Sequence, residues 1–228
     1  MRTLLLISAF LLSWLSPNKA QLALSYSRME IGQSSWNQLA ESLNEPQPFN
    51  AFNGLNLGFW FRLKSHRWEF LPELQYESML KTSKPEYSYE VSTYSFRLHN
   101  RIYLFDFFND CNCPTFSKQN TFFKRGFFLE LSPGLSLPRL QYTDETGPTK
   151  AKVLPVLQLS IGTGLDIGLS DSFTLTPLLR YRYLHRIPIS DQPAKLRPYS
   201  LHPEVTPEST DSWGGLELGL QLLWRYKK

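Results

Sequence analysis

From Val153 to Tyr183 the chain alternates. Leu157, Leu159, Ile161, Thr163, Leu165 and Ile167 form one set, and Gln158, Ser160, Gly162, Gly164, Asp166 and Gly168 the other. A period of two predicts a strand with one apolar face and one polar, small-residue face. Ser170-Asp171-Ser172 breaks the pattern with turn-forming side chains. The alternation then resumes. Phe173, Leu175, Pro177, Leu179, Tyr181 and Tyr183 oppose Thr174, Thr176, Arg180 and Arg182. Two such runs around a short turn predict a hairpin. Both runs outlast the roughly 5–6 residues of an average soluble strand and reach the roughly 9–11 that cross a bilayer.

The same reading along the chain predicts eight strands. The first is Leu22 to Ile31, with Leu22, Leu24 and Tyr26 on one face and irregularity at Arg28 and Met29. The next are Phe52 to Leu63, Arg67 to Lys81, Tyr87 to Phe105 and Gly126 to Leu140. The hairpin supplies the sixth and seventh, and Trp213 to Tyr226 the eighth. Connections at Gln33–Asn50, Asp106–Arg125, Gln141–Lys152 and Pro188–Ser212 are long; Lys64–His66, Thr82–Glu86 and Ser170–Ser172 are short. An even strand count with short turns and longer loops matches membrane barrels, although the connection after the third strand is shorter, and the one after the fourth longer, than that alternation gives. The expected fold is all-β: an eight-stranded, antiparallel, up-and-down transmembrane β-barrel. Its alternative is a secreted, soluble, lipocalin-like barrel with its apolar face turned inward around a small apolar ligand.

The first residues favour export. Arg2 precedes an apolar core from Leu4 to Leu15, too short for a spanning helix, and Ala20 stands before Gln21. This predicts a cleaved signal peptide over residues 1–20 and one barrel domain over 21–228. The formal net charge of +4 includes Arg2 and Lys19, which leave with that peptide. The remainder is nearly balanced and implies no nucleic-acid partner. Mean hydropathy is −0.30, a value that barrels share with soluble chains because only alternate residues face lipid.

On the predicted register the inward face carries Glu69, Glu73, Glu77, Glu130, Asp166 and Glu217 with Arg62, Arg97, Arg101, Arg180, Arg182 and Arg225. An eight-stranded barrel has an interior that side chains fill, and charges buried there must pair. The expectation is a lumen network that holds the barrel together and leaves no channel, with Gly58, Gly134, Gly162, Gly164 and Gly219 making room for the arginines.

The leader, the alternating segments and GTGLDIGLSDSFTLTPLLRYRY resemble the small outer-membrane β-barrel domain proteins of Bacteroidota. In that family a Gly-rich strand, a Ser/Asp turn and an aromatic-ended strand recur near the C-terminus. The last strand, LELGLQLLWRY, resembles the signal read by the barrel-insertion machinery, although Lys227 and Lys228 follow Tyr226. The resemblance implies an outer-membrane location and contact with outer-membrane lipid. The leader, the spanning-length strands, the outward apolar faces and the balanced lumen predict a non-enzymatic role in envelope structure or in binding a periplasmic or external partner through loops.

Candidate chemistry is sparse. Cys111 and Cys113 are the only cysteines. A small, strained disulfide, a free-thiol pair, and a metal or redox site with His66 are all open to them. His185 with Ser190 and Asp191 is a weak echo of lipid A-modifying barrel enzymes; a His beside Arg186 at the lipid headgroups is the plainer reading. No phosphate loop, dinucleotide fingerprint, nucleophile elbow or zinc-protease motif is present. No cofactor, metal site or catalytic residue is therefore expected.

Overall fold

The computed structural model describes residues 21–34, 50–62, 68–84, 87–104, 126–144, 147–150, 154–170, 172–188 and 210–225. The predicted signal peptide lies outside the described residues. Eight strands form the wall: β1 Gln21–Gln33, β2 Ala51–Arg62, β3 Trp68–Lys84, β4 Tyr87–Ile102, β5 Phe127–Asp144, β6 Val156–Leu165, β7 Phe173–Pro188 and β8 Thr210–Arg225. Each pairs antiparallel with its sequence neighbour, and β8 pairs with β1 from Gln21↔Arg225 to Gln33↔Gly214, which closes the barrel. Closure leaves none of these eight wall strands at a sheet edge, the condition for a sheet to cross a bilayer.

The burial pattern decides which face is which. Leu55, Leu74, Leu157, Ile161 and Leu218 are all more than half exposed, whereas Glu73, Glu77, Arg97, Arg101, Arg182 and Glu217 are buried. This is the inverse of a soluble barrel. The lipocalin-like alternative required apolar residues inside and is not what the chain builds. Aromatic residues mark both borders of the apolar belt. Trp68 stacks on Phe70 with ring centroids 5.6 Å apart near the tight-turn end, and Tyr76 meets Tyr94 at 5.0 Å toward the other.

Several boundaries differ from the sequence-based expectation. In β1 the alternation runs straight through Arg28 and Met29: Met29 is buried, while Arg28 is exposed beside Glu30. The irregularity is a register shift between Ile31 and Gln33 instead. Of the expected loop Thr82–Glu86, residues 82–84 belong to β3, which runs to Lys84, and β4 begins at Tyr87. Gln141–Lys152 is also largely strand. β5 continues to Asp144, and Gly147–Lys150 folds back on it, pairing Asp144↔Gly147 to Gln141↔Lys150. Polar residues extend these strands past the apolar belt, where ladder hydrogen bonds persist although the alternation of hydrophobicity does not. Strand β6 breaks at Asp166, whose N–H donates to Gly126 O at 3.0 Å, before Ile167–Gly168 resumes pairing with β7.

The Ser170–Ser172 turn forms where expected. The N–H groups of Leu169 and Ser170 donate to Phe173 O, and Ser170 Oγ accepts from the N–H groups of Ser172 and Phe173. This turn, both ends of the barrel sequence and the β4–β5 connection share one end of the barrel. The Gly147–Lys150 extension marks the other end.

Candidate functional site: the barrel interior

The inward faces of β3, β4, β5, β7 and β8 feed one ionic cluster. Arg97 projects from β4 and divides its guanidinium between two carboxylates: Nη2 is 2.8 Å from Glu73 on β3, and Nη1 is 2.9 Å from Glu217 on β8. Strands β4 and β8 are four places apart in a ring of eight, so the second bond crosses the lumen. Arg180 on β7 reaches Glu130 at 2.5 Å and Glu217 at 2.9 Å. Arg182 binds Glu77 at 2.9 Å and Glu217 at 3.3 Å. It also donates across the barrel to Gln75 at 3.1 Å and rests on the sulfur of Met29. Arg101 binds Glu130 at 2.7 Å, and its guanidinium carbon lies 4.6 Å from the Phe128 ring centre. Each carboxylate removed from water thus meets a guanidinium or a neutral donor, as burial requires.

Nearer the tight-turn end the acids find neutral partners. Trp60 Nε1 donates to Glu69 Oε2 at 2.6 Å. The Tyr103 hydroxyl stands 2.7 Å from Glu69 and 2.6 Å from Asp166, and Thr176 donates to Asp166 at 2.6 Å. Apolar side chains fill the remaining space. Ala23, Trp60, Leu71 and Leu223 form one cluster, and Tyr103, Phe128 and Leu178 another. Toward the opposite end, buried Phe52 and Trp213 meet with centroids 5.6 Å apart.

Ten of the twelve expected network residues lie here: Glu69, Glu73, Glu77, Arg97, Arg101, Glu130, Asp166, Arg180, Arg182 and Glu217 are all buried. Arg62 and Arg225 end β2 and β8, and their side chains lie outside what the structure describes. Cys111, Cys113, His66, Ser190 and Asp191 also lie outside the described residues. His185 is exposed on the outer wall, its ring 6.1 Å from that of Tyr183.

His99 falls on the inward set of β4 between Arg97 and Arg101 and was not among the expected network residues. It is fully buried and bridges two acids, with Nε2 3.0 Å from Glu73 and Nδ1 2.9 Å from Glu130 and 2.7 Å from Ser132. Its position between Arg97 and Arg101 on the inward set was the available signal. The glycines divide by neighbour. A Cβ at Gly134 would meet Arg97 Cγ at 3.1 Å, and one at Gly162 would meet Arg180 Cγ at 2.6 Å. At Gly58, Gly164 and Gly219 the neighbours are Leu71, Phe128 and Leu178. The expected room for arginines is therefore real at Gly134 and Gly162; Gly58 and Gly164 make room for the apolar filling, and a Cβ at Gly219 would meet only ordinary contacts.

A closed barrel, apolar without and charged within, defines a membrane-spanning β-barrel with a side-chain-filled core. Its fold is similar to that of Ail, the attachment invasion locus protein of Yersinia pestis, at a TM-score of 0.50 and 8% identity over 91% of this chain and 99% of that one. Neisserial surface protein A aligns over 89% of this chain and 97% of its own at 13% identity and a TM-score of 0.44. At such identities the likeness is one of fold. No family model and no curated protein matches the chain.

Proposed function

We propose that the chain is a non-enzymatic outer-membrane β-barrel, exported on a signal peptide over residues 1–20, that serves the cell envelope as a rigid anchor displaying binding loops. One observation carries the reading: the lumen is spanned by bonded side chains, from Arg97 on one wall to Glu217 on the other. A barrel filled in this way supports its ends and transports nothing through its middle. Loops on a rigid scaffold are the usual place for binding. The loops at the Gly147–Lys150 end face outward from the cell; the termini and the cysteine segment face the periplasm, where the pair at Cys111 and Cys113 oxidises to a small disulfide. The insertion machinery reads the last strand. Bacteroidota-type small barrels are the family this reading favours, on the resemblance of the Gly-rich hairpin.

Fractionation of expressing cells tests it. The protein should stay in the membrane pellet after a carbonate wash and migrate faster on a gel when unheated than when boiled. Recovery in the soluble periplasm would overturn the proposal.

A further inference from the structure

The outer wall is not uniformly convex. A groove of about 550 Å³ crosses β1 to β5, from Leu24 on β1 over Leu57, Leu74, Phe96 and Leu135; the last four floor it on β2 to β5. These four are successive register partners around the wall. The next row toward the Gly147–Lys150 end is Leu55, Tyr76, Tyr94 and Leu137, which also line the groove. The row beyond it is Asn53, Ser78, Ser92 and Arg139. Three adjacent rows therefore pass from wholly apolar, through a row centred on two tyrosines, to polar and cationic.

Arg139 completes the pattern. Its guanidinium carbon lies 5.1 Å from the centre of the Tyr94 ring. It has no hydrogen bond or ion pair among the described residues, in contrast to Arg28, which sits 3.6 Å from Glu30. A guanidinium packed on an aromatic face keeps its N–H edge free for oxygen acceptors, and its fork matches a phosphate.

We propose that this wall is a binding site for one phosphate-bearing, acylated lipid. An acyl chain occupies the groove, the Tyr76–Tyr94 pair marks the interface, and the headgroup phosphate meets Arg139. The proposal rests on the membrane-spanning reading, because only there does lipid cover this face. It adds selection: a smooth barrel wall touches lipids indifferently, whereas a groove with a cation at its rim prefers an anionic headgroup.

Native mass spectrometry of the purified full chain released from detergent micelles tests this. The probes are phosphatidic acid and phosphatidylcholine with identical acyl chains. Phosphatidic acid should be retained about fivefold more, the preference that one basic residue at an anionic headgroup supplies. Arg139→Gln should bring the two lipids to parity. Leu74→Trp, which fills the groove, should reduce retention of both. Excess inorganic phosphate should not displace the lipid, and displacement would reduce the site to an exposed anion contact and overturn the proposal. Equal retention by the wild type, or an unchanged preference in Arg139→Gln, would also overturn it. Heat-modifiable migration is measured on every sample. A heat-modifiable barrel without lipid preference sinks this inference alone, whereas a protein that lacks such migration sinks the spanning reading with it.

Discussion

Arg97 holds two acids that arrive from different strands, and its side chain is fully buried. Removing it strands charge in a medium that solvates charge poorly. His99 still faces Glu73, and Arg180 and Arg182 still face Glu217, so the loss is shared but not erased. Breaking a buried pair from one side costs about 3–5 kcal/mol. Arg97→Ala should therefore lower the urea midpoint for unfolding in lipid vesicles, read from the heat-shifted gel band, by the shift that a loss of that size gives at the wild-type denaturant slope. A midpoint indistinguishable from wild type would mean that the cluster adds nothing to stability. His99 shows why a residue cannot be weighed alone. Its neighbours Glu73 and Glu130 lie 26 and 31 positions away in the chain, and only the pairing of β3 and β5 on either side of β4 gives the imidazole a role.

At the scale of the strand, β6 offers the sharpest contrast. Ile161 is 62% exposed, paired across the wall with Leu131 on β5 and Tyr181 on β7. Gly162, its neighbour, points inward between Glu130 and Arg180. Ile161→Arg should cost about 2–4 kcal/mol, the depth-dependent penalty for a cation on the lipid face of a barrel. Gly162→Ala should cost about 1–3 kcal/mol through crowding, because the new methyl meets the Arg180 side chain and backbone. Unfolding of the two variants in vesicles and in water-soluble detergent separates the causes. The arginine penalty should shrink in the micelle, which deforms more easily than a bilayer, and the alanine penalty should not. Equal tolerance of arginine at both positions would contradict the observed register.

Taken whole, the barrel has a plug rather than a pore. Bonds from β4 to β8 and from β7 to β3 cross the lumen, and apolar clusters lie on the tight-turn side of them. Planar-bilayer recording of the reconstituted protein should show no steady conductance; a stable open state of porin size would refute the filled lumen. The closure of β8 on β1 also sets both ends of the barrel sequence on one side. With that side in the periplasm, the segment holding Cys111 and Cys113 leaves from the same end. A membrane-impermeant thiol reagent, applied to intact cells after reduction, should fail to label these cysteines until the outer membrane is breached. Labelling of intact cells would invert the orientation.

The amino-acid sequence by itself determined the count of wall strands, the face on which most of their residues lie, and the charged content of the polar face, because the pleat forces a period of two and needs no partner to do so. It also marked the Ser170–Ser172 turn, where short side chains bond their own backbone. It left open which face is the inside, since two-fold alternation is the same for a soluble barrel and a membrane barrel; the direction in which the sheet curls decides that. Strand ends beyond the apolar belt, at Lys84 and Asp144, were hidden because a ladder of backbone hydrogen bonds has no side-chain signature. The pairing of the charges was likewise invisible. Glu217 lies 120 positions from Arg97, and a carboxylate chooses its guanidinium by distance across the lumen, a quantity that exists only once the barrel has closed.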